Sequence, residues 1–254
     1  MLSAVRALEQ LLLPAECLVC HGLLAVAHAD DLVCPVCRLR WRAVRPPWCE
    51  RCGQPEPHFG PCRLCREWPE ALRSVRSGVW LDGGARSAVH ALKYGGLPRI
   101  ARDMASALSR IIARPPSGAR LVPIPLGSAR LKRRGYNQSE VLARAIGGCW
   151  ELAVLPQLLV RTRDTPTQTA LTPAARLANV AGAFQLRIGD CGLGIGRHPG
   201  SRSAIPNPQS PIVLVDDVFT TGATIAEAAR ALGAAGFTSI TAVTFGRASI
   251  PDFT

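Results

Sequence analysis

Two adjacent acids, Asp216 and Asp217, follow the apolar run at 212–215, and Thr220-Thr221-Gly222-Ala223-Thr224 comes soon after them. Carboxylates at the end of a buried strand accept hydrogen bonds from vicinal sugar hydroxyls. A small-residue loop that opens a helix presents backbone N–H groups and the positive end of the helix dipole, which suits a phosphate monoester. Thr220, Thr221 and Thr224 add hydroxyl donors, and Gly222 lets backbone approach closely. A plain strand–turn–helix explains one capping threonine and the glycine, but not paired acids followed by three hydroxyls. The chemistry read here is capture of a phosphorylated ribose. The segment carries neither a P-loop nor a dinucleotide fingerprint.

A second chemistry lies near the other end. Eight of the ten cysteines form four CxxC pairs: Cys17/Cys20, Cys34/Cys37, Cys49/Cys52 and Cys62/Cys65. Cys149 and Cys191 stand apart. This spacing is poor for a structural disulfide and good for two thiolates on one metal. Eight thiolates supply two tetrahedral four-cysteine zinc sites, structural because no position is left for water. Sequential pairing joins Cys17/Cys20 with Cys34/Cys37 and Cys49/Cys52 with Cys62/Cys65; the spacing does not exclude a cross-braced pairing. A redox role is less favoured, since the pairs lack a strand–helix context.

These groups need elements to hold them. Residues 14–68 are rich in Cys, Pro, Arg and Trp and have little hydrophobic periodicity. So short a segment cannot fold on an apolar core alone, which leaves metal as its staple. Trp41, Trp48 and Trp68 read as packing residues or as a nucleic-acid stacking platform, packing being the simpler choice. Beyond residue 70, strands are expected at 74–81, 120–124, 155–161, 212–215 and 237–245. Helices are expected at 85–94, 103–114, 138–146 (closed by Gly147-Gly148) and 223–232. This alternation predicts an α/β, mostly parallel sheet flanked by helices, with ligands at the carboxyl edge of its strands. The Gly-, Ser- and Pro-rich stretch 189–211 reads as a surface loop with no assigned function.

Lys and Arg number 30 against 18 Asp and Glu, for a formal charge of +12. No acid occurs from Met104 to Ser139, while Arg110, Arg114, Arg120, Arg130, Lys132, Arg133 and Arg134 do. Such a stretch attracts polyanions; for the excess as a whole a solvated basic face is the simpler reading. No apolar run approaches the ~20 residues of a membrane-spanning helix. The N-terminal segment reads as a short amphipathic helix rather than a signal peptide, because Glu9 and Gln10 interrupt the apolar run. A cytoplasmic protein is expected.

The segment 212–224 resembles the phosphoribosyl pyrophosphate (PRPP) motif of type I phosphoribosyltransferases. VPIPLGSARLKRRGYNQSEVLARA (122–145), RDTPTQTALTPAARLANVAGAF (163–184) and HALKYGG (90–96), behind the zinc ribbons, are similar to the ComF family (ComFC/GntX-like). The resemblance implies a double zinc ribbon at 14–68 and a domain of type I phosphoribosyltransferase fold at 74–248, with 189–211 an insertion. It implies PRPP contacts at Asp216, Asp217, Thr220, Thr221, Gly222, Ala223 and Thr224, and a pyrophosphate region of Lys93, Arg130, Arg134 and Asn137. Asn137 and Gln138 either cap the next helix or orient a ligand. Arg163, Thr165, Gln168, Arg176 and Asn179 fall on a lid over the ligand or, alternatively, on an exposed connector. Structural Zn2+ and PRPP-bound Mg2+ are the implied cofactors.

The implied reaction is displacement at C1′ of PRPP by an acceptor the sequence does not reveal; His90 is a lone histidine and no general base stands out. The family's association with natural transformation and uptake or use of external DNA sets an alternative beside the transferase. That alternative is a non-catalytic PRPP-sensing or single-stranded-DNA-handling adapter, partnered by single-stranded DNA or competence and DNA-uptake proteins, without membrane insertion.

Overall fold

The computed structural model describes residues 12–55, 62–164, 180–187 and 207–249. Its centre is a five-stranded, all-parallel sheet in the order β1-β7-β6-β2-β3. The strands are β1 (Leu72–Trp80), β2 (Arg120–Pro123), β3 (Ala153–Val154), β6 (Ile212–Phe219) and β7 (Ile240–Arg247). A separate antiparallel pair joins β4 (Leu159–Arg161) to β5 (Phe184–Leu186). The helices are α1 (Pro35–Leu39), α2 (Gly83–Tyr94), α3 (Ile100–Ile111), α4 (Ser128–Arg134), α5 (Gln138–Trp150) and α6 (Ala223–Ala234). The α/β class and the parallel sheet flanked by helices are as expected from the alternation of patterns. No helix among the described residues is long and apolar enough to cross a membrane.

The sheet is covered on both faces, so its middle strand β6 is apolar on both sides until the acids. On one face, α2, α3 and α5 pack with Val213, Val215, Val243 and Phe245. On the other, α6 packs with Ile212, Leu214, Phe219 and Ile240. The alanines of α6, Ala226, Ala228 and Ala229, are fully buried; small side chains let it lie close to the sheet.

The cysteine-rich segment is built into this core. Cys17, Val33, Cys37 and Trp41 join the first face, and Cys52, Cys65 and Trp68 join the second. It also covers the free edge of β1: Val44 N donates to Gly78 O at 3.0 Å, Trp80 N to Arg42 O at 2.8 Å, and Val75 N to Arg51 O at 2.8 Å. Trp41 and Trp68 are buried at 6% and 5% exposure, which favours packing over stacking for both. Trp41 meets Phe245 edge-on at 5.0 Å.

One buried charge ties the segment to α3. Asp103, 1% exposed, accepts from Leu32 N at 2.9 Å and Val33 N at 3.2 Å and pairs with Arg38. Truncation strands two backbone donors and leaves the Arg38 guanidinium only its contact with Asp31 at 2.9 Å, a loss of about 3 kcal/mol. Asp103→Ala should therefore lower unfolding free energy by that amount in urea titrations; a change under about 1 kcal/mol, the level of an exposed pair, would refute the role.

Several boundaries depart from expectation. Strands shift by a few residues, which is ordinary at element ends. Two differences are physical. The helix expected to stop at Gly147-Gly148 runs on to Trp150 and ends at Glu151 in the left-handed region. A Cβ on Gly147 would lie 2.9 Å from Leu152 O and from Val154 Cγ2, so this glycine serves close helix–strand packing rather than termination. β6 continues through both acids to Phe219, pairing Asp216 with Thr244 of β7. The acids sit within the strand, not past its end, because β7 extends equally far to pair with them.

Candidate functional site

At the carboxyl edge of the sheet lies a cleft of about 350 Å³. Six parts of the chain line it. These are Lys93 and Tyr94 at the end of α2, 124–126 after β2, Arg130, Arg133 and Arg134 on α4, Gln138 opening α5, Arg161 ending β4, and Asp216, Asp217, Val218, Thr220 and Thr224 on β6 and α6. Four guanidinium groups thus share one cavity with two carboxylates and two threonine hydroxyls.

The acids are not equivalent. Asp217 is 3% exposed; its Oδ2 lies 2.5 Å from Lys93 Nζ, and its Oδ1 accepts from Gln138 Nε2 at 3.4 Å. Burial opposes the Lys93 charge, but the Asp217 carboxylate outweighs it and holds the ammonium above the usual lysine range. Asp216 Oδ1 accepts from Ser139 Oγ at 2.8 Å and from Asp217 N at 2.9 Å. Burial, then the neighbouring Asp217 charge, pushes Asp216 up to about 7.

Beyond the acids, β6 gives way to 220–222 and then α6. Gly222 is the N-cap, with φ +76°, and no side chain caps the helix. The structure gives this glycine a reason that the sequence does not suggest. A methyl on it would overlap Trp68 Cζ2 outright and lie 2.9 Å from Phe219 Cε2. The close approach is by an indole behind the loop. Thr220 and Thr224 face the cleft; Thr221 and Ala223 are buried behind it, and Thr221 Oγ1 has no hydrogen-bond partner among the described residues. Gly222→Ala combines a left-handed backbone with that overlap, so it should cost at least about 1–2 kcal/mol in denaturant unfolding and shift Trp68 fluorescence.

Most of the basic wall sits on a short helix, α4. Arg130 and Arg134 fall on one side of α4, four residues apart, as helical spacing requires. Arg134 pairs with Gln138 Oε1 and stacks 5.3 Å over the exposed Tyr94 ring. Asp164 accepts from Ser128 Oγ at 2.7 Å and Ala129 N at 3.2 Å, tying the chain after β4 to the start of α4.

Of the residues singled out from sequence, Lys93, Arg130, Arg134, Asp216, Asp217, Thr220 and Thr224 meet in the cleft. Asn137 does not line it: its Oδ1 accepts from Ser139 N at 3.1 Å and its Nδ2 donates to Ile124 O at 3.0 Å, which makes it a helix cap. Arg163 donates to Ala181 O at 2.7 Å. Thr165, Gln168, Arg176 and Asn179 lie outside the described residues. Sequence reading misses Arg161 and Ser139 and leaves Arg133 out of the pyrophosphate region, naming it only as part of the basic stretch. Ser139 directly follows the Asn-Gln pair, a usable signal; Arg161 has none, since it ends an unremarkable apolar strand.

The cysteines form two clusters, Cys17/Cys20/Cys34/Cys37 and Cys49/Cys52/Cys62/Cys65, each with its sulfurs within 4.8 Å of one another. This is the sequential pairing. Sulfur separations of 3.5 Å (Cys52–Cys62), 3.7 Å (Cys49–Cys65) and 3.9 Å (Cys20–Cys34) match the ~3.8 Å edge of a tetrahedron with Zn–S bonds of ~2.3 Å. Backbone N–H groups of Val19 and Cys34 point at Cys17 Sγ, and that of Cys37 at Cys34 Sγ, as thiolates require. Without metal the four thiols cannot all ionise. Burial works against Cys17, but backbone donors from Cys34, Cys20 and Val19 bring it down to about 6, whereas burial and the neighbouring sulfurs push Cys37 up to about 12. Zn2+ resolves that conflict, and both clusters are structural zinc sites.

Residues 8–66 match the model of the double zinc ribbon domain. The chain is 33% identical over 231 residues to the DNA utilization protein YhgH of Salmonella typhimurium, covering 87% of this chain and 92% of that protein. It is 25% identical over 233 residues to competence protein F of Haemophilus influenzae (89% and 93% covered). It is 26% identical over 217 residues to competence protein ComFC of Bacillus subtilis (80% and 78% covered).

Proposed function

The chain belongs to the ComF family, and from that premise we propose that its sheet-edge cleft binds PRPP and serves a phosphoribosyltransferase-type reaction in the uptake or use of external DNA. One observation carries the reading: a single cavity is lined by two carboxylates and a helix N-terminus together with Arg130, Arg133, Arg134 and Arg161. PRPP has the matching sequence of groups. Its 5′-phosphate suits the N–H groups and hydroxyls of 220–224, its ribose hydroxyls suit Asp216 and Asp217, and its pyrophosphate suits the guanidinium wall.

In this reading the C1′–pyrophosphate bond breaks as an acceptor bonds to C1′. Arg130 and Arg134 balance charge on the departing pyrophosphate, and the loop and acids hold the ribose still. Lys93 bridges the two halves, since it reaches the cleft while paired to Asp217. The oxygen donors of Asp216 and Asp217 fit a hard divalent cation. Mg2+ bound there with the diphosphate would supply further charge neutralisation.

The names of the relatives, competence protein F, ComFC and DNA utilization protein, support a role in DNA uptake or use. The same basic wall also suits a phosphodiester chain, so a PRPP-sensing, DNA-handling adapter is the second reading. Calorimetry of the zinc-loaded protein with PRPP and Mg2+ tests the binding step, and the absence of heat at millimolar PRPP would sink it. Pyrophosphate release on adding candidate acceptors then marks the transferase. Salt-dependent binding of single-stranded DNA without pyrophosphate release marks the adapter.

A further inference from the structure

The second zinc ribbon lies directly behind the loop 220–224. Arg51, inside the Cys49–Cys52 knuckle, donates to Cys65 O at 3.1 Å and to Trp68 O and Pro69 O, both at 2.9 Å. This fixes the backbone that carries Trp68. The Trp68 indole then occupies the space beside Gly222, the N-cap of α6, and meets Phe219 edge-on at 6.1 Å. A second arm arrives from the same knuckle. Arg247, 2% exposed, donates to Cys52 O at 3.0 Å and to Gln54 Oε1 at 2.7 Å, and its guanidinium lies 4.4 Å from the Phe219 ring centroid. Both arms converge on Phe219, which precedes the loop, and Trp68 also abuts Gly222 within it.

A left-handed N-cap without a side-chain cap is weakly determined by its own sequence. What remains to hold it is the packing behind it. We propose that Trp68 and Arg247 are positioning residues for this loop, and that through them the second zinc ribbon keeps 220–224 in its ligand-receiving form. The first ribbon packs on the opposite face of the sheet and has no such arm among the described residues. The inference rests on the PRPP reading for the identity of the ligand, but not for the coupling itself. It gives the fusion of zinc ribbon and ligand domain a physical purpose: the ribbon is the back wall of the site.

The test uses the full, zinc-loaded chain with Trp68→Ala, Trp68→Phe and Arg247→Gln. Hydrogen exchange of the peptide over 218–226, zinc content and PRPP affinity by calorimetry are measured on each. Trp68→Ala should speed amide exchange in 220–224 and weaken PRPP at least about tenfold, the scale on which a displaced contact acts, with zinc content unchanged and exchange in the first ribbon unaltered. Trp68→Phe should recover most of both, and Arg247→Gln should show the same pattern more weakly. If Trp68→Ala does not fold, the Phe and Gln variants carry the comparison. Wild-type exchange and affinity in the folded variants would overturn the coupling. Faster loop exchange in a protein whose wild type binds no PRPP would uphold the coupling and defeat the PRPP reading instead.

Discussion

If the cleft takes PRPP as proposed, Asp216→Asn and Asp217→Asn should each weaken its binding while moving stability in opposite directions. Each removes a carboxylate at the floor of the cleft, and a buried charge-assisted hydrogen bond to a ribose hydroxyl is worth about 1.5–3 kcal/mol. A loss of at least about tenfold in affinity is therefore expected from either, and no measurable binding from the double variant. Stability separates them. Asp217 is the partner of Lys93, whose side chain is 23% exposed. Its replacement leaves a largely buried ammonium facing a neutral amide, at a cost of about 2–4 kcal/mol.

Asp216 behaves differently. Its carboxyl, ordinarily near 3.8, titrates at about 7 in the folded chain, chiefly through burial and next through Asp217. Between those values the native state holds a proton that the unfolded chain has released. Native stability therefore falls as pH rises through this window. Asn at 216 still accepts from Ser139 Oγ but carries no charge to desolvate. Asp216→Asn should be on the order of 2 kcal/mol more stable than wild type at pH ~8, and close to it at pH ~4. Urea titrations of the zinc-loaded wild type and variant at both pH values, with no added Mg2+, decide the matter. A stability difference between variant and wild type that is the same at the two pH values would refute the assignment of the elevated carboxyl. A site that binds well by holding two acids side by side is stabilised by losing one of them, which is the expected mark of function over stability.

Withdrawing zinc should unfold the protein as a whole, not merely loosen a peripheral module. Structural zinc contributes about 10–16 kcal/mol in isolated zinc-finger peptides, comparable to the roughly 5–15 kcal/mol that stabilises an entire domain. Here the ligands are core residues of both faces: Cys17 and Cys52 are fully buried, and Cys37 and Cys65 nearly so. Loss of the metal leaves four crowded thiols in each core, and the β1 edge loses its cover. A strong chelator should release two zinc ions per chain, one from each cluster, with one cooperative loss of near-ultraviolet circular dichroism that reports the sheet as well as the ribbons. Release of both ions with the sheet signal intact would show that the ligand domain stands alone. Acid well below the pH ~4 of the Asp216 comparison should have the same effect, since protons compete with zinc for the thiolates.

The sequence determined a good deal without help. CxxC spacing named the eight metal ligands, because two thiolates on one ion need only local geometry. The run from Ile212 to Thr224 named the two acids and the threonine loop that meet in the cleft, because strand, turn and helix N-terminus follow one another along the chain. Alternating patterns gave the parallel sheet. What the tertiary structure decided depends on residues far apart in sequence. It selected which sulfurs group together, placed Arg161 and Ser139 at the site, and gave Asn137 to a helix cap. It paired Lys93 with Asp217 across 124 positions of chain (217 − 93) and gave the two neighbouring acids different partners, with burial raising the carboxyl of Asp216. Local physics is written in order along the chain. Gly222 looked like a space for ligand from its neighbours in sequence, and became a space for Trp68 only when the zinc ribbon folded behind it.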